Sequence, residues 1–246
     1  MSYPYLAEFL GTMILIILGD GVVANVSLNK SGMKGAGSIQ ITIAWGLAVM
    51  LPAFTFGAAS GAHFNPALTI ALASIDAIPW WIVPKYIIAQ VAGAFAGACV
   101  VYALFKDHYA ATDDPNVIRG TFCTAPTIRN YGRNILSEAV GTFILVFTIL
   151  GFSNAGDCVS VGVNYLFVFG IIVSIGMSLG GLTGYAINPA RDFGPRLAHA
   201  VLPIKGKGDS DFAYGMVPIV GPIIGGVIGA QLFNAIEWGV LADFIK

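Results

Sequence analysis

The stretch that decides the fold occurs twice in this chain of 246 residues. It reads Ser60-Gly61-Ala62-His63-Phe64-Asn65-Pro66-Ala67 in the first half and Thr183-Gly184-Tyr185-Ala186-Ile187-Asn188-Pro189-Ala190 in the second. After each Asn-Pro pair comes a short apolar piece, to about Ile75 and to about Ala200. Asn is a good helix N-cap and Pro suits the first helical position. Each copy therefore predicts a helix about half as long as a bilayer is thick.

Longer apolar segments flank both copies. Hydrophobic residues make up 57% of the chain and charged residues only 10%, whereas a soluble domain carries about a quarter charged residues. This composition predicts a protein embedded in the lipid bilayer, and the net charge of −1 gives no reason to expect a nucleic-acid partner. The segments long enough to span a bilayer are Tyr5–Leu28, Ser38–Phe56, Pro84–Phe105, Asn134–Phe152, Val159–Leu179 and Tyr214–Ile236.

The order of segments is the same in both halves: span, span, half-helix, span. Glu8 lies in the first span of one half and Glu138 at the matching place of the other. Because three spans are an odd number, the second half must enter the membrane from the opposite side, which predicts an inverted repeat. The two half-helices then begin near the midplane, where a helix start is tolerated only inside protein or beside a water-filled cavity. We predict one channel domain over residues 1–246, with repeats of about 1–110 and 130–246.

The paired motifs point to a known family. One Asn-Pro-Ala occurs by chance in roughly a few per cent of chains this long, but two copies in matching places are specific. With Glu8 and Glu138 they resemble the aquaporin and glycerol-facilitator family over almost the whole chain. The resemblance implies an all-α membrane protein, a right-handed bundle of six transmembrane helices plus two half-helices. It also implies a homotetramer with one pore per subunit. The short termini favour a bacterial cytoplasmic membrane.

The resemblance assigns the centre of the pore to the two motifs. Two helix N-termini, each equivalent to about half a positive charge, meet there and oppose cations. The carboxamides of Asn65 and Asn188 donate hydrogen bonds to a neutral solute, although each Asn alone is explained equally well as a helix cap. The pore motifs are Asn65, Pro66, Ala67, Asn188, Pro189 and Ala190. The backbone carbonyls implied to line the pore belong to Gly61, Ala62, His63, Phe64, Gly184, Tyr185, Ala186 and Ile187.

A cation in a half-helix marks the selectivity filter. Arg191 lies in the first turn, where it opposes the helix dipole, and an ionisable group at membrane depth is a functional candidate. The resemblance places it in the narrowest constriction with Trp45, Gly176 and Tyr185. We expect Gly176 to leave a wider opening and the two aromatic rings to face a carbon backbone. Glycerol facilitators commonly carry Phe at the place of Tyr185, whose hydroxyl narrows the site.

Four acidic residues need an interpretation. Glu8 and Glu138 are expected to accept hydrogen bonds from the unwound backbones before the half-helices, although proton relays are an alternative. Asp192 is expected to orient Arg191 or its loop, or to pair with it. Asp20 is predicted to reach the membrane interface. The connector of residues 106–133 is predicted to be a solvent-exposed loop.

These observations favour a passive channel for glycerol and water that excludes protons and ions. A channel mainly for water, hydrogen peroxide, urea or lactic acid is the same-fold alternative. A coupled secondary transporter is a further alternative, because inverted repeats and broken helices also build transporters. No nucleophile–base set, metal cluster or cofactor motif occurs in the sequence, so an enzyme is not expected.

The membrane orientation is left open by two conflicting indications. The family resemblance puts both termini in the cytoplasm. The positive-inside rule predicts the reverse. The connectors on one side carry Lys30, Lys34, Arg119, Arg129, Arg133, Lys205 and Lys207, whereas those on the other side carry little beyond Lys85 and Lys246.

Overall fold

The computed structural model describes residues 3–236 and Trp238, so the predicted domain limits at 1 and 246 lie outside the described residues. The described chain is helical, without strands. Its α-helices are α1 (Tyr3–Ser27), α2 (Ser38–Ser60), α3 (Pro66–Ser74), α4 (Val83–Leu104), α5 (Lys106–Ala110), α6 (Pro115–Gly120), α7 (Tyr131–Gly151), α8 (Asn164–Thr183), α9 (Pro189–Val201), α10 (Phe212–Gly215) and α11 (Val217–Ala235).

Six helical segments are long and apolar enough to span a membrane, as predicted. They are α1, α2, α4, α7 with its following turn, α8, and α10 together with α11. The largest error in the predicted bounds concerns the fifth span, which begins at Asn164 rather than Val159. Gly162 has a φ of 79°, a left-handed conformation that no α-helix continues through. The apolar residues before it belong to the turn between α7 and α8.

The two half-helices form as predicted and pack across the repeat. α3 packs mainly on α11, the last span of the other half, and α9 packs mainly on α4. We call the side on which α1 begins and α11 ends the terminal face, and the opposite side the connector face. α3 extends from the middle of the bundle towards the terminal face, and α9 towards the connector face. Each half therefore completes the packing of the other.

Glycines allow the closest helix pairs to form. α1 packs on α4, and α7 packs on α11. A Cβ atom at Gly97 of α4 would lie 2.6 Å from the carbonyl oxygen of Met13. A Cβ atom at Gly225 of α11 would overlap the carbonyl oxygen of Ala139. Because these contacts are made by backbone atoms, which cannot rotate away, the two pairs depend on residues without a side chain.

The connector after α4 is exposed at residues 113–116, as predicted, but other parts of it are buried. It holds the short helices α5 and α6, and behind them Phe122 is only 1% exposed. The Phe122 ring packs against Tyr109 at 5.6 Å and against His199 at 5.4 Å between ring centroids. The hydroxyl of Tyr109 is hydrogen-bonded to Thr121 at 2.7 Å. The prediction is wrong at this point because the aromatic residues fold the connector into the bundle.

Basic residues of the connector face have structural partners. Arg129 forms an ion pair with Asp211. Burial opposes ionisation of Asp211, but the hydrogen bond and charge of Arg129 outweigh it and lower the pKa of this carboxyl. The ammonium group of Lys207 donates to three backbone carbonyls at the end of α9, at 2.6–2.7 Å. These cations stabilise the connectors and the negative end of a helix dipole, which explains part of the charge asymmetry without reference to orientation.

Gly225→Ala is expected to destabilise the protein, because the new methyl group meets the backbone of α7. Overpacking of this kind costs about 1–3 kcal/mol or more. Gly170→Ala in α8 is the matched control, since nothing lies within 4 Å of its added Cβ. Helix propensity makes that variant equal to or up to about 1 kcal/mol more stable than wild type. Thermal unfolding of the two purified variants in detergent tests the packing, and equal melting temperatures would contradict it.

Candidate pore

The two asparagines bind each other's halves of the molecule. The amide nitrogen of Asn65 donates to the carbonyl of Ile187 at 2.8 Å, and that of Asn188 donates to the carbonyl of Phe64 at 2.8 Å. Their side-chain oxygens cap their own helices. Oδ1 of Asn65 accepts from the backbone amide of Ala67 at 2.9 Å, and Oδ1 of Asn188 accepts from that of Ala190 at 3.0 Å. An amide NH₂ group has two hydrogens. Each asparagine therefore keeps one donor for the cavity that both of them line.

The backbone before each half-helix is strained in the same way. Gly61, Ala62 and Phe64 have φ values of 82°, 52° and 48°. In the second half the corresponding φ values at residues 184, 185 and 187 are 81°, 39° and 43°. Left-handed conformations are costly for residues such as Phe64 and Ile187 and persist only where the surroundings impose them. The repeat therefore extends to individual backbone angles.

Glu8 holds the first strained segment. One of its oxygens accepts from the Ser60 hydroxyl at 2.6 Å and the His63 amide at 3.0 Å. The other accepts from the Phe64 amide at 2.7 Å and the Gln90 side chain at 2.8 Å. The carboxylate is 0% exposed, and both oxygens are used by the scaffold.

Glu138 holds the second segment with the same geometry. It accepts from the Thr183 hydroxyl at 2.6 Å and from the amides of Ala186 and Ile187 at 3.0 and 2.7 Å. These contacts match the expected anchoring of the unwound backbone. Because both carboxylate oxygens of each glutamate accept these hydrogen bonds, the contacts favour an anchoring role over a proton relay.

Seven of the eight residues whose carbonyl groups are expected to face the pore line the cavity. The cavity, of about 440 Å³, is lined by residues 61–63 and 184–187. The carbonyls of Phe64 and Ile187 differ from the expectation, because they accept the asparagine bonds across the midplane. Many of the other residues that line the cavity are apolar. They include Leu15, Val49, Leu145, Ile149, Val168 and Ile172.

The cavity runs from a filter to the terminal face. On the connector side of the asparagines it is lined by Trp45 and Arg191. On the terminal side it reaches the turn after α7, at Phe152 and Ser153, and the start of α8 at Asn164. An amphipathic passage of this kind offers hydrogen bonds along one side and an apolar surface along the other.

Arg191 is held by three groups at the filter. Its guanidinium carbon lies 4.1 Å from the centroid of the Trp45 ring, a cation–π geometry. Its Nη1 atom donates to the carbonyl of Phe122 at 3.3 Å and to Asp20 at 3.2 Å. The prediction that Asp20 reaches the interface is wrong, because it is 1% exposed and paired with Arg191. Within residues 3–236 and Trp238, the other guanidinium nitrogens of Arg191 have no hydrogen-bond acceptor.

Asp192 has a different task from pairing with Arg191. It accepts from the backbone amide and hydroxyl of Thr124, each at 2.8 Å, and forms an ion pair with Arg196 at 2.7 Å. Thr124 lies two residues after Phe122, whose carbonyl binds Arg191. Asp192 therefore binds the loop beside Arg191 and forms no hydrogen bond with the side chain of Arg191 itself.

Gly176, which is expected to leave a wider opening, lies against Thr42 and Tyr185. A Cβ atom there would lie 2.5 Å from Cγ2 of Thr42. The same Cβ atom would lie 2.8 Å from Cζ of Tyr185, and one at Gly180 would lie 2.7 Å from its Cδ1. The two glycines of α8 thus form a seat for the Tyr185 ring, which fills the space on this wall. The Tyr185 hydroxyl is buried without a hydrogen-bond partner among the described residues.

Two groups that contact Arg191, the carbonyl of Phe122 and the carboxylate of Asp20, were not predicted from the sequence. The carbonyl of Phe122 carries no signal, since any residue supplies one. Asp20 had a signal, because a carboxylate inside an apolar span between Gly19 and Gly21 is costly and therefore a functional candidate. Its position near the end of the span suggested the interface, and the partner 171 residues away was not visible from spacing.

Comparison with known proteins decides the family. The family model described as major intrinsic protein matches residues 2–233. The chain belongs to the major intrinsic protein family. Together with the six spans, membership makes it a multi-pass protein of the cell membrane.

Relatives within the major intrinsic protein family include two bacterial proteins and one solved structure. The chain is 57% identical over 230 residues to the "Probable glycerol uptake facilitator protein" of Thermotoga maritima, covering 94% of this chain and 97% of the relative. It is 51% identical over 236 residues to "Glycerol uptake facilitator protein 3" of Lactiplantibacillus plantarum, covering 96% and 98%. The X-ray structure of the aquaglyceroporin from Plasmodium falciparum aligns with a TM-score of 0.82 and 32% identity, covering 95% and 96%.

Gly176→Ala is expected to push the Tyr185 ring from its seat towards the cavity. A solute with a carbon backbone needs more width than water, so glycerol flux should fall more than water flux. Gly170→Ala in the same helix is the control, since its added methyl group meets nothing. Stopped-flow light scattering on proteoliposomes measures both fluxes. Equal losses of glycerol and water flux in Gly176→Ala would show that the ring does not border the pore.

Proposed function

We propose that this protein is a passive channel through which glycerol and water diffuse across the membrane while protons and ions are excluded. The observation that carries the proposal is the amphipathic cavity. It is lined by many apolar side chains, by residues 61–63 and 184–187 of the unwound segments, and by Asn65, Asn188 and Arg191. Relatives named as glycerol uptake facilitators share about half of its residues or more, which supports the same substrate here.

Glycerol matches the two chemically different walls. Its hydroxyl groups can accept from the unpaired nitrogens of Arg191 and donate to the carbonyls of residues 61–63 and 184–186. Its carbon backbone faces the rings of Trp45 and Tyr185 at the filter, and the apolar side chains beyond it. A solute of hydroxyl groups on one edge and carbon on the other keeps its hydrogen bonds while passing. Water uses the same carbonyls.

Ions lose more than they gain in this passage. Entering a pore with one apolar wall removes part of an ion's hydration shell, at a cost that neutral solutes do not incur. Cations and hydronium also meet two helix N-termini and the guanidinium of Arg191. The amide groups of Asn65 and Asn188 donate to a water molecule at the midplane. They thereby interrupt the chain of hydrogen-bonded water molecules along which protons would move.

A passive mechanism fits the buried acids better than coupled transport does. The carboxylates of Glu8 and Glu138 are occupied by the loops they anchor, so neither offers a free coupling site for a proton or sodium ion. Following the family, we further propose that the whole chain is one channel domain, that four copies assemble with one pore each, and that the protein is not an enzyme.

Osmotic swelling tests the proposed substrate. Proteoliposomes mixed with hypertonic glycerol in a stopped-flow instrument are expected to shrink quickly and then reswell as glycerol enters. The reswelling rate should rise with glycerol concentration without saturating and should not change with a proton or sodium gradient. Reswelling no faster than in protein-free liposomes would refute glycerol transport. Fast shrinkage without reswelling would instead indicate a channel mainly for water, and saturable gradient-dependent uptake would indicate a coupled transporter.

Arg191→Val is expected to keep water flow and to admit cations. The substitution removes the positive charge at the filter and leaves the buried carboxylate of Asp20 without its partner. Proton and potassium leak into proteoliposomes, followed with a pH-sensitive dye and a potassium-sensitive dye, should rise by about tenfold or more, since a few kcal/mol of charge interaction is lost. Arg129→Gln, which removes a cation outside the cavity, is the control. Unchanged cation exclusion in Arg191→Val would contradict the role assigned to the arginine.

A further inference from the structure

We propose that Asp20 is the residue that makes the filter exclude anions. The inference rests on the proposed function. A channel selective for uncharged solutes must exclude both cations and anions, and the exclusion of anions is assigned here to Asp20. In this view Arg191 opposes cations and donates to solute hydroxyls. Asp20 supplies the opposite charge beside Arg191, so that the constriction carries no net charge. Its carboxylate also fixes the orientation of the guanidinium.

The first observation is the position of Asp20. Its carboxylate comes from α1, whereas Arg191 begins α9, and the two meet at 3.2 Å with both side chains buried. Gly19, the preceding residue, lies against the Trp45 ring, which also stacks on the guanidinium. The carboxylate is therefore built into the same small cluster as two residues that line the cavity.

The second observation is how little of Asp20 the scaffold uses. Oδ1 accepts from Arg191, while Oδ2 is buried and accepts no hydrogen bond from any described residue. Glu8 and Glu138, the anchoring acids, have both oxygens occupied. Buried polar atoms in native structures are nearly always paired. The unpaired Oδ2 therefore distinguishes Asp20 from the two glutamates, which anchor loops through both oxygens.

The third observation is the charge that needs compensation. The helix starts at Asn65 and Asn188 contribute positive partial charges at the midplane, and Arg191 adds a full one at the filter. Uncompensated, this arrangement would attract small anions into a passage wide enough for glycerol. Asp192 cannot compensate it, because its oxygens are bound to Arg196 and Thr124. Within residues 3–236 and Trp238, Asp20 is the acid in direct contact with Arg191.

The test is anion permeability of Asp20→Asn in proteoliposomes. Chloride influx is followed by quenching of an entrapped chloride-sensitive dye, with potassium and valinomycin present to carry the compensating charge. We expect wild type to match protein-free liposomes and Asp20→Asn to pass chloride about tenfold faster or more, since a unit charge about 3 Å from Arg191 is removed. In separate vesicles without valinomycin, potassium exclusion should persist in Asp20→Asn, because the arginine remains.

Three further variants separate charge from structure. Asp20→Glu keeps the charge and should remain closed to chloride. Asp20→Asn combined with Arg191→Val removes both charges and should return chloride flux towards the wild-type level. Asp211→Asn removes a carboxylate of the ion pair with Arg129, outside the cavity, and should change nothing in chloride flux. Asp20→Ser removes the same charge with a smaller side chain and replaces Asp20→Asn if the latter does not fold.

The outcomes distinguish this inference from the proposed function. Glycerol reswelling by the wild-type protein, measured in the same vesicles, tests the channel itself. Glycerol reswelling with no gain of chloride flux in either neutral variant overturns the role of Asp20 and leaves the channel intact. A loss of thermal stability with equal reductions of all fluxes and no chloride entry would show a merely structural carboxylate, and also overturns it.

Discussion

Everything in this protein depends on how two helices can start in the middle of a membrane. A helix start leaves backbone amides without partners, and the bilayer core offers no water to satisfy them. Asn65 and Asn188 solve this problem for their own helices and, with the other end of the same side chain, bind the opposite half of the chain. The same contacts that make the broken helices tolerable thus set the two halves against each other at the midplane.

The strain of that junction is carried by two buried carboxylates. Bulky residues before each half-helix are held in left-handed backbone conformations, and Glu8 and Glu138 bind the amides of those segments. Residues of the same segments line the cavity. The two acids that hold the strained backbone therefore also hold residues that line the cavity.

The filter departs from the symmetry of the repeat. Arg191 has Leu68 as its counterpart in the first half, so one half alone contributes a cation. Its hydrogen-bond partners are Asp20 from α1 and the Phe122 carbonyl from the connector. Asp192 and Arg196 tie that connector to α9. The proposed selectivity filter thus rests on contacts between segments that no internal symmetry relates.

What the sequence determined by itself is the architecture. Six apolar runs of spanning length, two Asn-Pro starts and the doubled order of segments restrict the chain to an inverted repeat of broken and unbroken helices, because the bilayer allows few other structures. The same patterns named the residues of the pore, since helix caps and intramembrane charges are local signals. Tertiary structure alone decided how those residues are used. The Asp20–Arg191 pair, the burial of Phe122 and the filling of the space beside Gly176 by Tyr185 each join residues that are far apart in the chain or turn on side-chain packing. Sequence spacing reports neither long-range contact nor rotamer, so the charge balance and width of the filter could be read only from the folded protein.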